Sequence, residues 1–452
     1  MRFVIVGGGP AGNTAASTAA RLGAEEVVLV ESDLIGGGAH LWDCIPSKAM
    51  VATGNALDSL RRAESMGIGI DLASASVDLP RVRTRISEIS QALNRGISDE
   101  LASQRVRLID GVGHLEGERS VGVRHASGTE ETIDADVVLL ATGSRPAVPE
   151  WAPVDEPRVL TSRDSYFLEE LPEHIVIIGS GVTGVEFVHI FSALGCEVTL
   201  VASRRHVLPG KDPEVAYALE EVLVERGVEI LKGARAAAID VSPGGLDVLM
   251  QDGRSVSGSH ALLAIGSRPN TERLQLEAAG LKTLDSGNIP IDEFCHTNVD
   301  SIYAAGDITD RYPLSSLAAA QGRLVGRQVT GRQVSPIDYG AVAQAIFTDP
   351  EIADVGIAEA DAFSQGRKIR VTKVPFSANP KAIIEAHKGG FVKILSDPLT
   401  GEVLGGSIVG PGAAELISTL ALAVRAGLRV RDVVENLNVH PSLSESLADA
   451  AE

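Results

Sequence analysis

A chain of 452 residues leaves room for about three domains at roughly 150 residues each. Its formal net charge of -20 argues against nucleic acid and anionic membrane as partners. Three cysteines, Cys44, Cys196 and Cys295, are too few for a disulfide framework and imply a reducing compartment, while 47 glycines beside 4% aromatic residues suit an α/β protein with many tight strand-to-helix turns.

Phe3 to Val6 is a short strand-like run, followed at once by Gly7-Gly8-Gly9-Pro10-Ala11-Gly12. An alanine-rich helical stretch then ends near Gly23, and a second strand from Val27 to Val30 closes on Glu31. Residues 3–20 are small and apolar enough to imitate a secretion signal, but they contain the glycine run and lack a cleavage signal. The pattern is G-x-G-x-x-G inside a βαβ unit, with an acid 19 positions after the last glycine. Gly7 permits the tight turn, Gly9 lets backbone approach a pyrophosphate, and Gly12 lets the helix pack on the strand. The helix N-terminus then faces phosphates, and the Glu31 carboxylate can accept hydrogen bonds from ribose hydroxyls. A dinucleotide is the expected ligand.

Gly36 to Lys48 runs Gly-Gly-Gly-Ala-His-Leu-Trp-Asp-Cys-Ile-Pro-Ser-Lys. Ile45-Pro46-Ser47 leads into a helix, since proline is tolerated in a first helical turn, so Cys44 and Lys48 stand four apart on one face. A thiol at a helix N-terminus gains thiolate character, which the neighbouring Asp43 carboxylate opposes. Residues 78–110 are expected to form one long polar helix, with short alternating strands from there to Asp136. Val137 to Leu140 is a buried strand leading into Ala141-Thr142-Gly143.

The glycine device recurs. A strand from Ile175 to Ile178 precedes Gly179-Ser180-Gly181-Val182-Thr183-Gly184, a helix, and a strand from Glu197 to Val201. Two such units imply two dinucleotides and electron transfer between them. The second unit ends on Ala202-Ser203-Arg204-Arg205, where an NAD-preferring site would carry an acid. Loss of the carboxylate removes repulsion toward a 2′-phosphate, and the arginines could pair with one, so NADPH is as admissible as NADH. Leu262 to Gly266 repeats the strand-to-glycine ending of Gly143, and Ile302-Tyr303-Ala304-Ala305-Gly306-Asp307 follows.

From about Ser335 the pattern changes to alternating strands, including Gly390–Leu395 and Val403–Val409, with helices over Ala413–Ala426 and Val430–Leu437. His440-Pro441-Ser442-Leu443-Ser444-Glu445 lies near the C-terminus. Cys196 opens a strand and Cys295 lies in a strand-like segment, both expected to be buried and inert. No metal site is expected. No run of about 20 apolar residues reads as a membrane span, so the expectation is a soluble, cytoplasmic protein without stable membrane insertion.

In this order the motifs resemble the flavoprotein disulfide reductases, the family of dihydrolipoamide dehydrogenase, glutathione reductase and mercuric reductase, over essentially the whole chain. The resemblance implies two Rossmann-like dinucleotide-binding domains plus a C-terminal α+β dimerisation domain. Residues 1–145 and 270–335 would bind FAD, 146–269 would bind NAD(P), and 336–452 would dimerise, with Phe347–Glu351 and Val409–Pro411 resembling segments of that last domain. It implies FAD as cofactor, NAD(P)H as substrate and a homodimer. In the family the sulfur at Cys44 lies against the flavin, and the lysine at Lys48 reaches the reactive edge of the ring and pairs with the glutamate at Glu186. That positive charge tunes the ring as an acceptor. The aspartate at Asp307 bonds the ribityl chain. The histidine at His440, oriented by Glu445, comes from the partner subunit and moves protons.

One position departs. The family pattern is Gly-Gly-Thr-Cys, four residues, then Cys-Ile-Pro-Ser-Lys, and Ala39 stands at the first cysteine; Asp43 replaces the usual glycine. Without a disulfide, the acceptor must take electrons from the flavin itself. Quinones do so, and the chain resembles the actinobacterial NAD(P)H:quinone reductases, which lack that cysteine. The expected activity is quinone reduction by a ping-pong route, with protons from His440 or water. The alternatives are a soluble pyridine nucleotide transhydrogenase, where a similar His-Trp tract occurs but the second cysteine is missing, and a single-cysteine disulfide or persulfide reductase using Cys44. A flavin-binding partner protein is the non-enzymatic alternative, against which Lys48–Glu186 and His440–Glu445 argue.

Overall fold

The computed structural model describes all residues except Ala73, Ser74, Glu156 and Lys388. The chain divides into two compact units, one of residues 1–46, 83–147 and 266–337, the other of 47–82, 148–265 and 338–452. Six helices are used below: α1 (Pro10–Arg21), α2 (Ile45–Arg62), α3 (Leu79–Ser103), α4 (Val182–Leu194), α5 (Pro213–Glu225) and α6 (Ser315–Val329).

In the first unit, runs rich in Val, Ile and Leu form a parallel sheet in the order Ile302–Ala304, Val137–Leu140, Arg2–Val6, Glu26–Glu31, Arg107–Asp110. Burial of both faces is what such uniformly apolar strands require. The alanine face of α1 (Ala11, Ala15, Ala16, Ala19) is buried. A Cβ added at Gly322 of α6 would lie 2.1 Å from the carbonyl oxygen of Ala11, so the two helices approach at backbone distance. The helix expected over 78–110 stops at Ser103. Arg105 turns the chain with φ 62, Val106 donates back to the Leu101 carbonyl, and Arg107–Asp110 becomes the sheet's edge strand. The short strands expected before Asp136 are present, ending with Glu130–Asp134, and they pair antiparallel. Cys295 is not in a strand: it is buried in a turn with φ 68.

The second unit repeats the arrangement, with parallel order Glu229–Lys232, Glu197–Ala202, His174–Ile178, His260–Leu263, Val159–Thr161. Helix α4 is buried from Gly184 to Phe191, which explains its almost wholly apolar sequence. The C-terminal part is an antiparallel sheet, Gln344–Ile346, Ile352–Gly356, Val403–Val409, Phe391–Ser396, Arg370–Pro375, with the helix Ala413–Ala426 packed on it. The helix expected over Val430–Leu437 ends at Val434, and Glu435, Asn436, Leu437 and Asn438 follow outside any helix.

Candidate active site

The first glycine turn leaves no choice of residue. Gly7 has φ 106, and a Cβ there would lie 2.3 Å from the Ala141 carbonyl oxygen; at Gly12 it would lie 1.8 Å from that of Gly7. A Cβ on Gly9, by contrast, would meet nothing within 4 Å, and one on Gly37 would fall 2.8 Å from the Gly9 Cα. Backbone therefore walls a cradle at the N-terminus of α1, where Gly9 is the cap and no side chain competes for the free amides. Glu31 is held by main-chain donors, Gly8 N–H at 2.6 Å on one oxygen and Ser32 and Asp33 N–H at 2.8 and 3.0 Å on the other. Remaining lone pairs can accept ribose hydroxyls.

Thr142 and Gly143 leave the same edge of the sheet and are locked to Asn270. The Thr142 hydroxyl donates to the Asn270 carbonyl, the Asn270 side-chain amide donates to the Thr142 carbonyl, and Asn270 N–H donates to Gly143, each at 2.9 Å. The Gly266 carbonyl accepts from Ala147 N–H at 2.9 Å. Asp307 follows strand Ile302–Ala304 and accepts a hydrogen bond from the Ser144 hydroxyl at 3.0 Å. These groups gather at the carboxyl ends of parallel strands, where open α/β sheets bind ligands. Asn270 and Ser144 were not anticipated; each stands beside a recognised motif but carries no signature of its own.

Ala39–Asp43 forms a five-residue π turn, closed by Cys44 N–H donating to the Ala39 carbonyl at 3.1 Å. The Cys44 sulfur lies 3.2 Å from the Ser315 hydroxyl, on the first residue of α6, a partner no motif announced. Asp43 is exposed. Among the described residues none of the three cysteines is in a disulfide, and burial pushes the thiols of Cys196 and Cys295 up to about 12.

In the second unit the geometry of the first recurs. Gly179 has φ 112, a Cβ at Gly184 would lie 1.8 Å from the Gly179 carbonyl oxygen, and Gly181 is open. Ser203, Arg204 and Arg205 follow strand Glu197–Ala202 and are exposed; among the described residues neither arginine forms an ion pair. Lys48, in the first turn of α2, places its ammonium 2.8 and 3.1 Å from the two oxygens of Glu186 on α4. Glu186 is 4% exposed and accepts a third hydrogen bond, from Phe347 N–H at 3.0 Å. The Lys48 ammonium also stands 4.9 Å from the centre of the Phe347 ring, within cation–π range. Phe347 as a support for this pair was legible only as part of a C-terminal motif.

His440 Nδ1 lies 2.8 Å from Glu445, whose other oxygen accepts from Ser442 N–H at 2.9 Å. The Ser442 amide first, and His440 second, hold the Glu445 carboxyl below its usual range. A carboxylate acceptor makes Nδ1 the donor and leaves Nε2 for exchange. The His440 side chain is 70% exposed, and this pair shares no hydrogen-bonding residue with Lys48–Glu186. Among the described residues no group of His, Cys, Asp and Glu is arranged to hold a metal, and no helix is long and apolar enough to cross a membrane.

Two glycine-cradled dinucleotide folds, together with a Lys–Glu pair whose glutamate is buried, fit an oxidoreductase that uses a pyridine nucleotide. Residues 1–322 match the family described as pyridine nucleotide-disulphide oxidoreductase, residues 342–451 match its dimerisation domain, and the chain belongs to this family. It is 42% identical, over 100% of its length and 93% of the relative's, to the NAD(P)H dehydrogenase (quinone) of Mycobacterium tuberculosis strain H37Rv. It is 34% identical to the dihydrolipoyl dehydrogenase of Bacillus subtilis strain 168, over 100% of this chain and 98% of that one. The crystal structure of LpdA from Mycobacterium tuberculosis superimposes with a TM-score of 0.95 at 41% identity, covering 100% and 99% of the two chains. The protein is thus a flavoprotein oxidoreductase, with FAD and NAD(P)H as its cofactors. The side-chain-free cradle at Gly9 and Gly37 and the pre-set Glu31 carboxylate fit the ADP half of FAD.

Proposed function

We propose that the protein is a homodimeric NAD(P)H:quinone oxidoreductase that works without a redox disulfide. FAD-binding would fall to residues 1–145 and 270–335, NAD(P) binding to 146–269 and dimerisation to 336–452. The observation that carries the reading is Ala39, five residues before Cys44, in a chain whose Lys48–Glu186 pair is complete. Disulfide reduction by the family's route needs a second thiol at that point, and Cys196 and Cys295, with thiols pushed up to about 12, are poor substitutes. The name and 42% identity of the mycobacterial relative support the same acceptor class.

Bound FAD would supply hydride acceptance from NAD(P)H and two-electron delivery to an acceptor. Gly181, the side-chain-free N-cap of α4, would admit the pyrophosphate of the nucleotide, and the exposed Ser203, Arg204 and Arg205 would meet its ribose substituent. Lys48, fixed on Glu186 and over Phe347, supplies a positive charge that needs no rearrangement as negative charge develops. A quinone takes two protons with two electrons. His440, with Nδ1 committed to Glu445, can deliver one from Nε2, and water the other.

The reading is tested by steady-state turnover with NADPH and menadione, against lipoamide and oxidised glutathione as acceptors. Menadione turnover should exceed both by orders of magnitude; comparable lipoamide activity, or none with any quinone, contradicts it. Hydride transfer from NADPH to an NAD+ analogue without quinone would move the assignment to transhydrogenase.

A further inference from the structure

Behind the Lys48–Glu186 pair, inside the second unit, lies a lattice of charges with no motif of its own. Phe347, whose N–H holds Glu186, opens the loop 347–351 between strands Gln344–Ile346 and Ile352–Gly356, which close in register with Ile346 opposite Ile352. The buried Thr348 hydroxyl donates to the Pro350 carbonyl at 2.6 Å, tying the loop across itself. Asp349, two residues after Phe347, accepts from Arg226 at 2.7 Å and from Arg62 at 3.2 Å.

Arg226 caps the C-terminus of α5 and spends its guanidinium on three elements at once. One nitrogen holds Asp349; the other donates to Asp58 of α2 at 2.9 Å and to Nδ1 of His189 of α4 at 3.3 Å. His189 is 0% exposed, and its other ring nitrogen meets the Asn55 side-chain oxygen of α2 at 2.9 Å. Asp58 lies ten residues after Lys48 on α2, and His189 lies three after Glu186 on α4. The two helices that carry the Lys48–Glu186 ion pair and the loop that supports it therefore meet at one side chain.

We propose that Arg226 is a positioning residue for the Lys48–Glu186 pair, clamping loop 347–351 to α2 and α4 so that the Phe347 amide stays on Glu186 and its ring stays beneath Lys48. A planar fork with five donors can serve three partners in fixed directions, which a lysine ammonium on a flexible stem cannot. Arg61 is the internal control. It binds Asp58 at 2.6 Å and the Ala193 carbonyl at 3.0 Å, zipping α2 to α4, but does not touch Asp349. The proposal rests on Lys48–Glu186 being the flavin-side pair and is indifferent to which acceptor oxidises the enzyme.

The test uses the full-length FAD-loaded protein and no acceptor. The visible spectrum of the bound flavin and its single-turnover reduction by NADPH are recorded for Arg226→Gln, Arg226→Lys and Arg61→Gln, each alone and combined with Glu186→Gln. Arg226→Gln should retain FAD, shift the flavin spectrum and slow reduction about tenfold, with Arg226→Lys recovering only part. Arg61→Gln should change neither readout, and in the Glu186→Gln background the Arg226→Gln effect should vanish, since its target is already lost. An unaltered spectrum and rate in Arg226→Gln, an equal loss in Arg61→Gln, or a full additional loss beside Glu186→Gln would overturn the proposal. Should Arg226→Gln fold poorly, Asp349→Asn weakens that link from the loop side together with the Arg62 bond, and Arg62→Gln is recorded beside it: a shift and slowing in Asp349→Asn beyond those of Arg62→Gln supports the proposal, and equal effects overturn it. Because no quinone is present, failure of the acceptor assignment leaves these outcomes unchanged.

Discussion

Glu186 is almost sealed from water and accepts three hydrogen bonds, two from the Lys48 ammonium and one from Phe347 N–H. A buried charge pair loses far more when one member is removed than the intact pair contributes. Lys48→Met should therefore leave FAD bound but slow its reduction by NAD(P)H roughly 10²- to 10³-fold, the usual cost of losing one preorganised electrostatic group; stopped-flow absorbance measures it, and an unchanged rate removes Lys48 from the chemistry. Cys44 stands in a different position. Its sulfur lies 3.2 Å from the Ser315 hydroxyl, and Ala39 stands where the family's disulfide partner would be. Cys44→Ala should keep FAD and most quinone turnover. Complete loss of turnover with flavin retained would make the thiol catalytic.

At the level of elements, the tightest constraint is the contact between each glycine turn and its helix. A methyl group at Gly184 would sit 1.8 Å from the Gly179 carbonyl oxygen, so Gly184→Ala must push α4 off its strand. The expected cost is about 1–3 kcal/mol, with weakened NAD(P)H binding and FAD retained; calorimetry and nucleotide titration separate the two. Helix α4 carries a second liability in His189, whose imidazole burial, first, and Arg226, second, push down to about 4. The unfolded chain takes up this proton near the ordinary value of 6.5, so between those limits the unfolded state binds more protons and stability falls as pH drops. The loss amounts to about 3 kcal/mol at most, and His189→Asn should flatten the acid arm of a stability–pH curve between pH 6.5 and 4. These turns and helices were legible because their signals are local: glycine spacing, β-branched runs, and the apolar periodicity of Ala413–Ala426. Asn270, Ser144, Ser315 and Arg226 were not legible, since each acts on a partner more than 100 residues away (Asn270 on Thr142, for instance) and each looks in sequence like an ordinary polar residue. The polar helix was drawn too long at Ser103 for a related reason: Val106-Arg107-Leu108-Ile109 fits either period until the sheet edge selects the strand.

On the scale of the whole molecule, the C-terminal part has an unfinished surface. Leu437 and Val439, 97% and 75% exposed, lead into the exposed His440 in a chain whose residues 342–451 match a dimerisation domain. Large apolar side chains left in water beside a His–Glu pair are the kind of surface that another chain covers. If a second copy covers it, assembly and acceptor chemistry share one segment, and two substitutions separate them. Combining Leu437→Asp with Val439→Asp should give monomers by light scattering that still hold FAD and still accept hydride from NAD(P)H in single turnover, yet lose quinone turnover. His440→Gln should leave the dimer and flavin reduction intact and lower quinone turnover by about 10²-fold, the smaller end of what a positioned proton donor contributes. A dimer that survives both aspartates would move the interface elsewhere. Undiminished turnover in His440→Gln would leave water as the source of both protons, and Glu445, bonded to Ser442 N–H and to the imidazole, as a brace for the chain turn alone.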